Sequence, residues 1–189
     1  MPRVLIACEF SGVVREAFRA QGCDAWSCDI LESEIPGQHY QCDVRKVIDR
    51  HWDLIVAHPP CQHLASSGAR WFEEKRADGR QSSAIHFFLW LAYSDCPRVA
   101  IENPVGIMST VYRKPDQIVQ PWMFGHGETK ATCLWLKGLP PLQPTNIVSG
   151  REARIHNMPP SQTRARERSR TYSGIAKAMS IQWGFSPVE

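Results

Sequence analysis

The sequence lacks any run of apolar residues long enough to cross a bilayer, and it lacks the features of an export signal. A strand-like segment begins almost at the N-terminus, at residues 3–8, without the charged, apolar and small-residue order of a signal peptide. We therefore expect a cytoplasmic protein with no membrane partner.

A C-x-x-C pair is also missing, although the chain contains seven cysteines. Scattered cysteines of odd number are typical of reduced thiols rather than of a disulfide framework or a zinc site. Cys61 and His63 are spaced as two metal ligands could be, but no second ligand cluster lies close in sequence. We expect no metal.

The composition is that of an ordinary globular protein, with 189 residues, 43% of them hydrophobic and 22% charged. A chain of this length can bury a core of its own, and no linker divides it, so we predict a single domain over residues 1–189.

The net charge of +3 says little, but its distribution is uneven. Six arginines lie close together near the C-terminus, against only two glutamates: Arg151, Arg154, Arg164, Arg166, Arg168 and Arg170. This basic segment is either a solvated surface loop or an arm that faces phosphate groups.

Short apolar runs alternate with amphipathic stretches through the first hundred residues. We predict strands at residues 4–8, 24–28, 54–57 and 99–101, and helices at residues 13–21 and from Ser82 or Ser83 to residue 94, with a short helix or turn at 43–50. This alternation predicts an α/β fold with a mainly parallel central sheet and helices on both faces.

The second part of the chain is less regular. We predict a strand at residues 132–136, a loop at residues 149–170 and a final helix at residues 175–183 with Ser173 as its N-cap.

Ligands of open α/β sheets bind beyond the carboxyl ends of the strands, and every predicted strand end here carries an acid, a glycine or a thiol. These residues are Glu9-Phe10-Ser11-Gly12, Asp29, Asp43, His58-Pro59-Pro60-Cys61-Gln62 and Glu102-Asn103-Pro104. Each one alone could be a turn residue or a helix cap. Gly12 before a helix, followed by Asp29, suits a nucleoside-bearing cofactor, although Val14 replaces the second glycine of the dinucleotide fingerprint.

Cys61 follows two prolines, which restrict the backbone and so orient its thiol. Glu102 ends the neighbouring apolar run and could face the same pocket. A sulfur nucleophile beside a carboxyl acid can add to a conjugated ring, because the acid supplies a proton or hydrogen bond to a ring nitrogen. The alternative is a buried structural cysteine and a glutamate that caps a helix.

Taken together and in this order, these motifs resemble those of the cytosine-C5 DNA methyltransferases. The resemblance covers roughly residues 1–105, which carry the cofactor and catalytic motifs, and continues more faintly through residues 106–189. The chain is similar to small phage-type members that lack a target-recognition region. The resemblance implies a Rossmann-like methyltransferase fold, S-adenosyl-L-methionine as cofactor, and DNA or a nucleotide as substrate.

The resemblance also implies residue roles. Cys61 would attack C6 of the pyrimidine, Glu102 would bind N3, and Asn103 would support the pocket. The cofactor site would be formed by Glu9, Phe10, Ser11, Gly12, Asp29, Ile30, Asp43, Val44 and Pro59. The substrate would be contacted by Gln62, Arg70, Lys130, Arg164 and Arg166.

The chain departs from the family pattern in the strand that usually supplies two arginines, one of which contacts the cytosine carbonyl. Ala131 and Cys133 stand there, and Lys130 is the nearest cation. Residues 62–81, with Gly68 and Gly79 as hinges, would close over the substrate as a lid. The alternative for that stretch is a polar surface segment with Trp71 buried in the core.

Three functions remain open at this point. The first is C5 methylation of a pyrimidine in DNA, and the second is the same chemistry on a free or modified nucleotide. The third is a non-catalytic module that binds nucleic acid on a methyltransferase scaffold.

Overall fold

The computed structural model describes residues 1–184, which are built around one seven-stranded sheet. The strands are β1 (Arg3–Ala7), β2 (Asp24–Asp29), β3 (His39–Gln41), β4 (Leu54–Ala57), β5 (Val99–Pro104), β6 (Gln117–Val119) and β7 (Thr132–Lys137). Their order across the sheet is β3-β2-β1-β4-β5-β7-β6. The segments that follow β1, β4 and β5 therefore emerge side by side.

The sheet is mainly parallel, as predicted. β3, β2, β1, β4 and β5 form parallel pairs, whereas β7 is antiparallel to both of its neighbours, β5 and β6. The helices are α1 (Val13–Ala20), α2 (Phe72–Ala77), α3 (Arg80–Ala92), α4 (Met108–Val111), α5 (Arg154–Asn157), α6 (Arg164–Ser169) and α7 (Ser173–Trp183). Short 3-10 helices occupy Val44–Lys46, Ser66–Trp71 and Pro121–Met123.

Both faces of the sheet are covered, because successive strand residues point to opposite sides. Val4 and Ile6 of β1 belong to the core under α1 and α7, where Phe18 and Trp183 are fully buried. Leu5 belongs to the opposite core, which it shares with residues of α3. Burial on both sides explains why β1 and β4 are continuously apolar instead of alternating.

Several boundaries differ from the sequence prediction. α3 begins at Arg80, after Gly79 with φ +81°, so neither Ser82 nor Ser83 is its cap. α7 begins at Ser173, which makes no side-chain cap hydrogen bond, because Tyr172 occupies the N-cap position.

The predicted loop at residues 149–170 was also wrong, since it contains α5 and α6. The short strands β3 and β6 were not predicted, because three-residue strands have no measurable period. No helix within residues 1–184 is both long and apolar enough to traverse a bilayer.

Candidate active site

A cavity of about 100 Å³ lies beyond the carboxyl ends of β1, β4 and β5. Its lining comes from both halves of the chain: Cys8, Glu9, Phe10, Ser11, His58, Pro59, Pro60, Cys61, Glu102, Asn103, Pro104, Lys130, Arg168, Ser169 and Thr171. Cys61 and Glu102, which are far apart in sequence, therefore face one space. This is the arrangement on which the predicted chemistry depends.

The register of β4 and β5 places the two motifs together. Ala57 pairs with Ile101, so His58, directly after β4, and Glu102, within β5, lie at the same level of the sheet. His58 Nδ1 lies 3.3 Å from Glu102 Oε2, and both side chains are largely buried. The Cys61 carbonyl accepts hydrogen bonds from the backbone of Leu64 and Ala65, each at 2.9 Å, which turns the chain directly after the thiol.

Asn103 connects β5 to the segment that follows β4. It is 1% exposed, and its Nδ2 donates a 2.8 Å hydrogen bond to the Pro59 carbonyl. Its Oδ1 is buried and has no hydrogen-bond partner, and the same holds for Nε2 of His58. Buried polar atoms without partners are uncommon and mark places where a ligand or water is expected to bind. Both of these residues line the cavity.

The surroundings raise the pKa of the Cys61 thiol and lower the pKa of the Glu102 carboxyl group. Burial raises the pKa of Cys61 and the negative charge of Glu102 adds to this, while Lys130 and Arg168 oppose it. Burial also raises the pKa of Glu102, but the hydrogen bond from His58 and the positive charge of Lys130 outweigh it and hold that pKa below its usual range. At neutral pH the thiol is protonated and the carboxyl group is ionised.

Glu9 has a local role that the sequence did not reveal. Its carboxylate accepts hydrogen bonds from the backbone N–H of Val14 at 2.7 Å and of Arg15 at 3.2 Å, and from the Ser11 hydroxyl at 3.0 Å. The first turn of α1 is therefore capped from within the chain. Glu9 thus occupies two amides of the helix end that the sequence associated with a nucleoside-bearing cofactor.

The remaining cofactor candidates lie beside the cavity at the ends of β2 and β3. Burial raises the pKa of Asp29, although its Oδ1 accepts a 2.9 Å hydrogen bond from Leu31 N–H, which opposes the shift. Ile30 is 74% exposed next to it. Asp43 accepts two hydrogen bonds from Arg45, both at 2.9 Å, and caps the following 3-10 helix.

Two further cofactor candidates, Gly12 and Val44, contribute to the fold itself. Gly12 has φ +74°, and a Cβ there would come within 3.0 Å of Arg15 and Ile35, so the chain accepts no side chain at this turn. Val44 is 4% exposed and packs in the core with α3, where its side chain has no open face.

Lys130 enters the cavity from the segment before β7, as the sequence suggested. Its Nζ donates to the carbonyls of Arg168 at 2.8 Å and Arg170 at 3.3 Å. Most of its donor capacity is thus used to hold the basic segment against the cavity. Ala131 is not part of the lining, and Cys133 is buried in the core beside Glu102.

The basic segment lies on the surface, where two of its arginines are anchored to Glu34 by ion pairs. Arg166 and Arg170 both bind Glu34, with nitrogen–oxygen distances of 2.6 to 2.9 Å, and Arg166 also lies over the Phe10 ring. The segment therefore lies against Phe10 and Glu34 at one side of the cavity. Arg168, which was not singled out, lines the cavity, whereas Arg164 and Arg166 do not.

The stretch after Cys61 folds as a surface layer. Lys75 is buried and donates a 2.6 Å hydrogen bond to the Gln62 carbonyl. Trp71 is 50% exposed with Arg70 over its ring, so the alternative in which Trp71 enters the core was wrong. Neither Gln62 nor Arg70 lines the cavity.

Seven cavity residues were missed as site residues, and they include His58 and Arg168. His58 stood inside the quoted motif, and its position at a strand end was the available signal. Nothing in the sequence separates Arg168 from its neighbouring arginines. Over residues 1–184 no group of three His, Cys, Asp or Glu side chains is placed to hold a metal ion.

Comparison with solved structures finds a protein assigned as a DNA modification methyltransferase encoded within a prophage (E. coli). The two are 17% identical with a TM-score of 0.54, and the match covers 78% of this chain and 52% of that chain. S. pombe Dnmt2 is 13% identical with a TM-score of 0.47 over 82% of this chain and 53% of that chain. A DNMT2 mutant of Spodoptera frugiperda is 16% identical with a TM-score of 0.48 over 80% and 54%.

This chain spans about half the length of each of these structures. No protein-family profile matches the sequence, and no curated protein sequence matches it. The similarity to the prophage protein, with the mainly parallel sheet covered on both faces, shows that this chain has a Rossmann-like α/β fold shared with that structure.

Proposed function

We propose that this protein methylates C5 of a pyrimidine, cytosine, in DNA, with S-adenosyl-L-methionine as methyl donor and through a covalent adduct on Cys61. The observation that carries the proposal is that Cys61 and Glu102 line the same cavity as Glu9, Phe10 and Ser11. A nucleophile, an acid and the cofactor-type motif thus meet at one sheet edge. The solved prophage structure of the same fold is assigned as a DNA modification enzyme.

The residues at the ends of β2 and β3 fit the cofactor chemically. Asp29 and Asp43 offer carboxylate acceptors for ribose hydroxyls and an adenine amino group, and exposed Ile30 and Leu31 offer apolar surface for a flat ring. S-adenosyl-L-methionine, when bound, supplies an electrophilic methyl group. Phe10 and Pro59, which line the cavity, would separate this methyl donor from solvent.

Cys61 is the nucleophile in this mechanism. Before the reaction the Cys61 thiol is protonated and the Glu102 carboxyl group is ionised. As the sulfur bonds to C6, the thiol proton passes to the site shared by Glu102 and ring N3, where it neutralises the charge that builds on the ring. Lys130 stabilises negative charge at both residues. The electron-rich C5 then takes the methyl group.

A base in duplex DNA must leave the stack to reach this cavity, which costs a few kcal/mol. Lys130 and Arg168, the two cations that line the cavity, support a polyanionic substrate. Both are partly exposed, and partly exposed arginine and lysine side chains bind phosphate at little cost in desolvation. The short stretch between β7 and α7 supports a brief or relaxed sequence preference, since reading base edges needs a docked element.

Transfer of a labelled methyl group from the cofactor to DNA tests the proposal. We expect transfer by the wild type, none by Cys61→Ala, and an SDS-stable complex between the wild type and DNA that contains 5-fluorocytosine. Cys96→Ser is the matched control, because Cys96 is buried away from the cavity and hydrogen bonds only to backbone carbonyls. Transfer that survives Cys61→Ala rules out the mechanism.

The second candidate substrate is a free or modified nucleotide. It is favoured by the position of the basic segment, because Arg166 and Arg170 bind Glu34 and Arg168 lines one side of the small cavity. Duplex DNA, single-stranded DNA and mononucleotides compared in one assay separate the two candidates. Activity on DNA alone eliminates the nucleotide.

A non-catalytic nucleic-acid-binding module is the third candidate, favoured by the engagement of Lys130 with backbone carbonyls where the family has free arginines. Calorimetry with the cofactor distinguishes it. Binding of cofactor and DNA without turnover on any substrate would establish this module.

A further inference from the structure

His58 occupies a position in the cavity that the proposed mechanism does not use. It directly follows β4, and its side chain is 8% exposed. One ring nitrogen, Nδ1, lies 3.3 Å from Glu102 Oε2, while the other, Nε2, is buried without a hydrogen-bond partner. The residue lines the same cavity as Cys61.

The hydrogen bond to Glu102 determines which ring nitrogen can act. A carboxylate only accepts hydrogen bonds, so Nδ1 carries the proton and donates a hydrogen bond to Glu102. In neutral imidazole the lone pair then resides on Nε2. A carboxylate that holds one side of an imidazole and leaves the other nitrogen free is the general arrangement of a histidine base, because the carboxylate orients the ring and stabilises the imidazolium that forms.

The proposed reaction requires such a base after methylation, since C5 then carries both a methyl group and a proton. We propose that His58 is the general base that removes the C5 proton and thereby releases the product from Cys61. This assignment rests on the proposed function. His58 and Cys61 belong to one four-residue segment stiffened by two prolines, so the imidazole and the thiol reach the ring from the same segment.

Release of the product breaks the C5–H and C6–S bonds and forms the C5–C6 double bond. The C5–H bond breaks and its proton bonds to Nε2 of His58, while the electron pair of that bond restores the C5–C6 double bond. The C6–S bond breaks, and its electron pair leaves on the Cys61 sulfur. The thiolate takes back the proton that it gave to Glu102 and ring N3, which restores the Cys61 thiol and the ionised Glu102. The imidazolium then releases the C5 proton to solvent, and this is the one proton that the overall reaction produces.

The surroundings suit both charged products of this step. Glu102 lies beside the imidazolium, and the cations Lys130 and Arg168 act on the thiolate. The other residues that line the cavity are three prolines, Phe10, Cys8, Asn103 and the small polar residues Ser11, Ser169 and Thr171, together with Glu9, whose carboxylate is bound to α1.

His58→Asn is the decisive variant, because an asparagine amide nitrogen can donate to Glu102 as Nδ1 does but cannot accept a proton. We expect it to form the adduct with 5-fluorocytosine DNA at close to the wild-type rate. On ordinary cytosine DNA it should transfer one methyl group per enzyme and then accumulate a methylated covalent complex, visible by denaturing electrophoresis and mass spectrometry. Steady-state turnover should fall by about a hundredfold or more.

Two outcomes overturn the assignment. Normal turnover by His58→Asn would show that His58 only holds Glu102, and loss of adduct formation would show that it only shapes the pocket. Should His58→Asn fail to fold, His58→Ala with added imidazole replaces it, and turnover restored by imidazole supports the base while absent rescue contradicts it. If the wild type itself forms no adduct, the proposed function fails, and that result is distinct from wild-type activity with an indifferent His58 variant.

Discussion

Glu9 provides the sharpest test of how the site is built, because its carboxylate is 5% exposed and accepts all of its hydrogen bonds from within the chain. Within residues 1–184, Glu9 is the one acceptor of the buried amides of Val14 and Arg15, and Glu9→Ala removes it. These two amides belong to the first turn of α1, which packs against α7.

The magnitude follows from these contacts. Each buried amide left without an acceptor costs about 1–3 kcal/mol, and two amides are affected, so we expect Glu9→Ala to lower the free energy of unfolding by about 2–6 kcal/mol. Glu9→Gln retains one acceptor oxygen and should cost roughly half of that.

Urea unfolding followed by tryptophan fluorescence measures the effect without depending on catalysis. Glu73→Ala is the control, because Glu73 is an exposed glutamate in the first turn of α2, and it should stay within about 0.5 kcal/mol of the wild type. A Glu9→Ala protein that is equally close to the wild type would refute the capping argument.

Further predictions concern the loop, the thiol and the basic segment. Gly12→Ala should destabilise the fold by about 2 kcal/mol or more in thermal unfolding, whereas Gly22→Ala, at a similar positive φ but in open space, should cost only about 1 kcal/mol; equal losses would contradict this. Glu102→Gln removes a negative charge that raises the pKa of Cys61, so at pH 8 more thiolate is present, and alkylation of that peptide by iodoacetamide, read by mass spectrometry, should be faster than in the wild type. A slower or unchanged rate would place the two groups apart. Arg168→Ala should weaken oligonucleotide binding in fluorescence anisotropy and reduce the salt slope by about 1, and an unchanged slope would exclude a phosphate contact.

Much of the fold could be predicted because its strands are buried on both faces. Continuous apolar runs at β1 and β4, punctuated by Gly12 and by the two prolines, are local signals that survive any packing. The short edge strand β3 and the helices α5 and α6 could not be predicted, because they are stabilised by neighbours rather than by their own periodicity. Glu34 shows this well, since nothing near it in sequence indicates that it binds Arg166 and Arg170.

The sequence by itself determined which chemical groups end each strand, and hence that Cys61 and Glu102 are available at one edge of a parallel sheet. That inference is local, because the carboxyl ends of parallel strands always meet at the same edge. Only the tertiary structure decided what surrounds them: Glu9 bound to α1, Lys130 bound to the basic segment, and His58 held by Glu102 with Nε2 unpaired. These contacts join residues distant along the chain, and their distances and burial depend on how the elements pack, which no local pattern encodes.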